Sequence, residues 1–252
     1  MSDIGHILAD ICEEAAALIL PLWRSGLAVS TKADESPVTE ADRRAEALIL
    51  DRLARAFPDV PVISEEDASE TGVPDSIAER FFLVDPLDGT KAFVRGDPNF
   101  TVNIGLIEHG RPVAGAVCAP ATGECWFTAP SGAMKRIDGG KPREVQARAW
   151  PEGAALALVS HTMSDAHLQE LISRYGFQQR EAMDSSIKLC RIAEGAADIY
   201  PRHGPTMEWD IAAGHAVLAA AGGRIDTPEG QAFLYGKARE GFRNGWFVAR
   251  GA

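Results

Sequence analysis

The middle of the chain is broken into short apolar runs, Phe81 to Val84, Thr101 to Ile107, Pro112 to Cys118 and Cys125 to Thr128, separated by Gly, Pro, Asn and Asp. Runs this short at hairpin spacing read as strands, so the central third is committed to a sheet. Ahead of it lie helical patterns. Ile4, Ile7, Leu8, Ile11, Ala15, Leu18, Ile19 and Leu22 recur every three or four residues, predicting a helix from Ile4 to Trp23 closed near Gly26. A second helix follows Thr39 as N-cap, with Asp42 three residues on. Ala45, Leu48, Ile49, Leu53 and Phe57 mark its face and Pro58 stops it. Ala68 to Asp75 is polar, with Gly72 and Pro74, and reads as a loop or flap. Beyond Trp150-Pro151 the pattern alternates: strand Ala155 to Ser160, helix Ser164 to Tyr175, helix Ser185 to Glu194, strand Ala197 to Tyr200, and helix Asp210 to Ala221 ended by Gly222-Gly223. An α+β half (1–150) joined to an α/β half (151–252) is expected, forming one unit over 1–252.

At 252 residues, 46% apolar and 24% charged, the chain can bury a core without staples. No apolar stretch reaches the ~20 residues of a membrane helix, and the most apolar helical piece, Ala15 to Trp23, contains Pro21. Asp3 and Asp10 stand where a secretory signal would be basic. Cys12, Cys118, Cys125 and Cys190 show neither CxxC spacing nor close histidines, so their spacing suggests neither a zinc site nor a disulfide framework. A cytoplasmic setting is expected, with peripheral association with the inner membrane left open. Asp and Glu outnumber Lys and Arg by 36 to 25, a net charge of −11. Such a surface repels nucleic-acid polymer, and a phosphate ligand would need a positive partner other than the average charge.

The segment Asp85-Pro86-Leu87-Asp88-Gly89-Thr90 ends the first apolar run. A strand delivers Asp85 to its end, Pro86 stiffens the turn, and Asp88-Gly89-Thr90 can open a helix. Carboxylates set this close repel without a counter-ion, and with the Leu87 carbonyl they make a hard-oxygen set suited to Mg²⁺. Taken alone, the same residues read first as a surface turn in which Asp88 caps a helix. Other acids fall at element ends: Glu65 after the Val60 to Ile63 run, Asp210 at the start of a helix, and Asp42 near the start of another. Each is an ordinary loop acid or cap singly; together they gather where two halves form a cleft.

These residues carry a resemblance. Asp85 to Thr90 matches DPxDGT, and Trp209-Asp210-Ile211-Ala212-Ala213-Gly214 matches WDxAAG, both signatures of the Mg²⁺-dependent, lithium-sensitive inositol monophosphatase superfamily. Within it the chain is most similar to the CysQ-type 3'(2'),5'-bisphosphate nucleotidases. That likeness runs through Ser36 to Asp42, Leu83 to Phe93, Phe100 to Ile104 and Tyr200 to Asp210. The resemblance implies an αβαβα sandwich with the active site between its halves. It implies metal ligation by Glu65, Asp85, Asp88, Asp210 and the Leu87 carbonyl, with roughly two or three Mg²⁺ ions. Asp88, Gly89 and Thr90 would cradle the phosphate, and Asp42 with Thr90 would relay a proton from the attacking water, with Glu65 also catalytic. The sequence departs from the family at Asp184, where relatives commonly have Gly, and at Ala92, where they commonly have Glu.

The implied reaction removes the 3'-phosphate of adenosine 3',5'-bisphosphate, giving AMP and phosphate. Adenosine 3'-phosphate 5'-phosphosulfate is a second substrate, and nucleotide recycling in sulfur assimilation is the setting. Ser185, Ser186 and Lys188 on one helix and Arg202 and His203 on the next loop are expected around the nucleoside and its second phosphate. For Lys188 a solvated lysine, and for His203 an exposed loop histidine, are the plainer readings. Inositol-phosphate or histidinol-phosphate hydrolysis would use the same metal core, and a phospho-ligand binding protein without turnover is a further alternative. The resemblance is compatible with a homodimer. No GxxxxGK[ST], GxGxxG or HExxH pattern supports another chemistry.

Overall fold

The computed structural model describes residues 3–25, 29–31, 37–161 and 163–252, with side chains at 3–24, 40–161 and 163–252. Gly26 and Ser36, and the side chain of the expected cap Thr39, lie outside these. The chain opens with α1 (Ile4–Ser25), the ribbon of β1 (Val29–Thr31) and β2 (Pro37–Thr39), and α2 (Glu40–Ala56). Next come β3 (Val62–Ser64), α3 (Glu65–Thr71), β4 (Arg80–Asp88), α4 (Thr90–Arg95), β5 (Thr101–Glu108), β6 (Arg111–Ala119), β7 (Glu124–Ala129), β8 (Gly132–Ile137) and β9 (Arg143–Val145). Strands β3 to β9 lie in sequence order in one seven-stranded sheet, antiparallel except for the parallel pair β3 and β4.

The remainder supplies β10 (Leu156–Val159), α5 (Asp165–Tyr175), β11 (Gln179–Ala182), α6 (Ile187–Ala193), β12 (Ile199–Arg202), α7 (Glu208–Ala220), β13 (Arg224–Asp226) and β14 (Phe247–Arg250). Its five strands are ordered β11-β10-β12-β14-β13, with β10 parallel to both neighbours and β14 antiparallel to both of its own.

Layering follows from which faces are apolar. Leu8, Cys12 and Ile19 of α1 and Ile49 and Leu53 of α2 bury against Phe82, Val84 and Phe127 on one face of the larger sheet. On its other face α7 packs with α6, and both also meet the smaller sheet. Helix α7 is apolar all round because it is covered on both sides. It lies so close to β5 that a Cβ on Gly105 would stand 2.8 Å from the Ala213 nitrogen. Helix α5 closes the outside of the smaller sheet through Leu168 and Leu171. The order α1/α2, sheet, α6/α7, sheet, α5 is the expected αβαβα sandwich. No described helix is long and apolar enough to cross a membrane.

Several boundaries differ from expectation. The polar stretch read as a loop from Ala68 is helical to Thr71. Its first turn holds Glu65, Glu66 and Asp67, where acids favour the helix dipole, and Glu46 of α2 accepts hydrogen bonds from the Ser64 hydroxyl and from the Asp67 N–H. Helix α6 starts at Ile187 rather than Ser185, because Ser185 has φ 55 and cannot continue a right-handed helix. Helix α7 starts two residues before Asp210. Strand β4 runs on through Asp88 with a register shift between Asp85 and Asp88, so Pro86 stands at an irregularity where the ladder is interrupted.

Candidate active site

A cleft of about 800 Å³ opens where β4 ends, between the two sheets. Asp85 is buried at its floor and folds back on its own turn, with Oδ1 accepting the Leu87 N–H at 3.0 Å. Asp88 faces the other half: Oδ2 accepts the Ser186 N–H at 2.5 Å and the Thr101 hydroxyl at 3.4 Å. Gly89 turns the chain into α4 with φ 88, and a Cβ there would lie 2.9 Å from the Asn99 carbonyl, so only glycine fits the turn. Thr90 then donates its hydroxyl to the Leu87 carbonyl at 3.1 Å.

Glu65, the first residue of α3, and Asp210, in the first turn of α7, enter from two further elements, and both line the cleft. Asp210 Oδ2 accepts the Met207 N–H at 2.8 Å, closing the first turn of α7, while its carbonyl accepts the Ser186 hydroxyl at 2.5 Å. Ser186 therefore ties the two sides of the site together, its N–H on one acid and its hydroxyl on the backbone of another. Asp42 is buried in the first turn of α2, outside the cleft lining but near enough for its charge to act on Asp85.

The cluster is electrostatically strained. Burial, then repulsion from Glu65, Asp88, Asp210 and Asp42, pushes the Asp85 carboxyl well above the usual range. Burial and the Asp88 charge do the same to Asp210. Asp88 is raised by burial, but Lys188, the Ser186 N–H, the Asn103 amide and Arg202 pull it back. Lys188 and Arg202 thus partly offset Asp88, Arg202 also acts on Asp210, and burial with mutual repulsion still holds Asp85 and Asp210 well above the usual range. Carboxylates and a carbonyl converging with uncompensated charge are the donor set that a hard divalent cation satisfies.

The residues expected around the nucleotide separate into groups. Ser185, in its left-handed conformation, and Arg202 line the cleft; Arg202 also donates to the Pro205 carbonyl at 2.9 Å. Lys188 is not a solvated lysine. It is 4% exposed, and its Nζ donates to the carbonyls of Ser185 at 2.6 Å and Met183 at 3.2 Å, with burial lowering its pKa to about 8. It supports the Ser185 turn from beneath. His203 turns away from the cleft lining: its ring stacks on Trp246 at 4.5 Å and its Nε2 meets the Tyr175 hydroxyl at 3.2 Å. It is buried rather than an exposed loop side chain, and it stands outside the residues that line the cleft.

Other contributors carried no assigned role in the sequence. Asn103 lies in the quoted Phe100 to Ile104 stretch, and only its register opposite Asp85 on β5 brings it to Asp88. Asp184 pairs with Arg95 of α4 at 2.9 Å and His161 at 3.3 Å across the cleft mouth, contacts no spacing could reveal. Glu208, beside Asp210 in sequence, faces away and accepts the N–H groups of Gly236 and Lys237 at 2.8 and 3.1 Å.

A model of the inositol monophosphatase family matches residues 2–249. The 3'(2'),5'-bisphosphate nucleotidase CysQ of Escherichia coli (strain K12) is 44% identical over 219 residues, covering 87% of each chain. The protein of the same name from Buchnera aphidicola is 36% identical over 245 residues, covering 96% of this chain and 91% of that one. Among solved structures, CysQ from Bacteroides thetaiotaomicron superposes with a TM-score of 0.77 at 32% identity, covering 98% of this chain and 96% of its own. With the acids of both signatures gathered in one cleft of an αβαβα sandwich, the chain belongs to the inositol monophosphatase family.

Proposed function

We propose that the protein removes the 3'-phosphate of adenosine 3',5'-bisphosphate, with adenosine 3'-phosphate 5'-phosphosulfate as a second substrate and both sheets contributing to a single catalytic unit over residues 1–252. The observation that carries this reading is the convergence of Glu65, Asp85, Asp88 and Asp210 in a cleft whose far wall presents Arg202. Enzymes of this family are metal-dependent phosphatases, generally using Mg²⁺. When bound, roughly two or three such ions supply the positive field that a net charge of −11 lacks and make a coordinated water acidic. Glu65, Asp85 and the Leu87 carbonyl would hold one ion, and Asp85, Asp88 and Asp210 another.

The remaining work falls to the chain. The backbone N–H groups of Gly89 and Thr90 receive phosphoryl oxygens at the start of α4. Thr90 now donates to Leu87. With the Leu87 carbonyl among the residues that would hold the ion, the Thr90 hydroxyl and the Asp42 carboxylate would together orient the attacking water and receive its proton. Arg202 meets the second phosphate with a charge-assisted hydrogen bond. Lys188 acts one step back, holding the Ser185 carbonyl and so the turn against which the nucleoside rests.

A phosphate-release panel in Mg²⁺ tests this. Adenosine 3',5'-bisphosphate is expected to exceed inositol 1-phosphate and histidinol phosphate in kcat/KM by about 10- to 150-fold, the value of one charged contact made only by the second phosphate. A higher kcat/KM on either competitor would retain the metal phosphatase and remove the nucleotide. No release from any of them would favour a binding protein.

A further inference from the structure

On the α1 side of the larger sheet, away from the acidic cleft, three cysteines from three elements meet. Cys118 of β6 and Cys125 of β7 face each other across the antiparallel pair. The Cys118 thiol lies in hydrogen-bonding range of both Cys125 and Cys12 of α1, and Cys12 Sγ donates to the Ala116 carbonyl at 3.6 Å. The next residue on α1, Glu13, brings a carboxylate, so that one ligand atom each from Glu13, Cys118 and Cys125 lies within 4.8 Å of the others. All three thiols are buried, whereas the Glu13 side chain is 27% exposed and lines, with Cys118, a cavity of about 220 Å³ between α1 and the β6–β7 turn. Arg136 donates to Glu13 at 2.5 Å.

We propose that Glu13, Cys118 and Cys125 form a second metal site that takes a thiolate-preferring d¹⁰ cation, Zn²⁺ in the first instance. The donor chemistry separates it from the acidic cleft. Mg²⁺ refuses sulfur and demands oxygen, whereas Zn²⁺ accepts a mixed set of thiolates and one carboxylate in tetrahedral arrangement. The cavity at Glu13 gives a route in from solvent, and the carboxylate offers the first ligand there. Burial holds the Cys118 and Cys125 thiols protonated in the metal-free protein, so each Zn–S bond forms as one proton leaves to solvent. Arg136 beside Glu13 offsets the anionic charge left on the completed site. Because its ligands come from α1, β6 and β7, the ion would pin the first helix to the sheet and take no part in turnover.

The test uses the full chain in saturating Mg²⁺, so that the acidic cleft is filled. Titrated Cd²⁺, a spectroscopic stand-in, is expected to give a thiolate-to-metal charge-transfer band that saturates at one equivalent and is displaced by Zn²⁺. Cys118→Ala, which removes the central thiol, should weaken Zn²⁺ binding at least about 100-fold, and Cys125→Val, a strand-compatible change, should do likewise. Both should keep Mg²⁺-dependent phosphate release. Asp88→Asn should keep the band. Absence of the band in the unmodified protein would overturn the site and leave the cysteines as core packing. So would its persistence in both cysteine variants, or its loss in Asp88→Asn.

Discussion

Asp88 stands where the two halves touch, and its neutralisation separates chemistry from folding. Asp88→Asn should lower kcat by at least about 100-fold, since an amide oxygen replaces a charged ligand. The Ser186 N–H still finds an acceptor, so the fold should survive. Phosphate release beside melting curves in chelator checks both. Arg202→Ala should cut kcat/KM on adenosine 3',5'-bisphosphate by about 10- to 150-fold while leaving a mononucleoside 3'-phosphate nearly unaffected; equal losses would make Arg202 a support for the acids. At this scale the acids that line the cleft were legible because DPLDGT and WDIAAG each place an acid next to its structural reason. The burial of His203 against Trp246 and Tyr175 was not legible, because those partners come from distant segments. The ion pairs of Asp184 with Arg95 and His161 join three separate segments, which one chain read in order cannot show.

Among the elements, α7 is the one that both sheets share, and a titratable group sits within it. His215 is buried, its Nδ1 2.9 Å from the Tyr235 hydroxyl, and burial together with Arg111 lowers its pKa from 6.5 to about 4. Between those values the unfolded chain binds the proton and the folded chain does not, so stability falls as pH drops through that window, by on the order of 3 kcal/mol. The urea midpoint of His215→Gln should accordingly decline less between pH 7 and pH 4.5 than that of the unmodified chain; parallel declines would remove His215 as the cause. Gly105→Val should destabilise the fold severely, since its side chain would press on the Ala213 backbone, and thermal unfolding would show it. Elements with an apolar rhythm, such as α1, α2 and α5, could be read from sequence to within a few residues. Helix α3 could not: EEDASET has no apolar face, and Glu46, on another helix, completes its start. Short strands such as β9, β11 and β13 were missed for a similar reason, since their partners rather than their own residues make them strands.

At the level of the whole molecule, the acids come from both sides of a divided structure, so their mutual repulsion works against closing it. Mg²⁺ should therefore raise the melting temperature in a saturable way, and Asp88→Asn should flatten that dependence; a rise matched by NaCl at equal ionic strength would be screening instead. The division into an α+β half and an α/β half followed from the change of texture along the chain and the sandwich from the family resemblance, but the strand order β11-β10-β12-β14-β13 followed from neither, because it depends on a return of the C-terminus between β12 and β13. The hydrogen bond from the Ser186 amide to Asp88 spans the cleft at 2.5 Å. A proton held that tightly by a carboxylate should resonate far downfield of other amides and exchange slowly with deuterium. Any event that draws charge from Asp88, the arrival of a cation above all, should shift that one signal, so a single backbone nucleus in the C-terminal half would report the occupancy of a site built mainly by the N-terminal half.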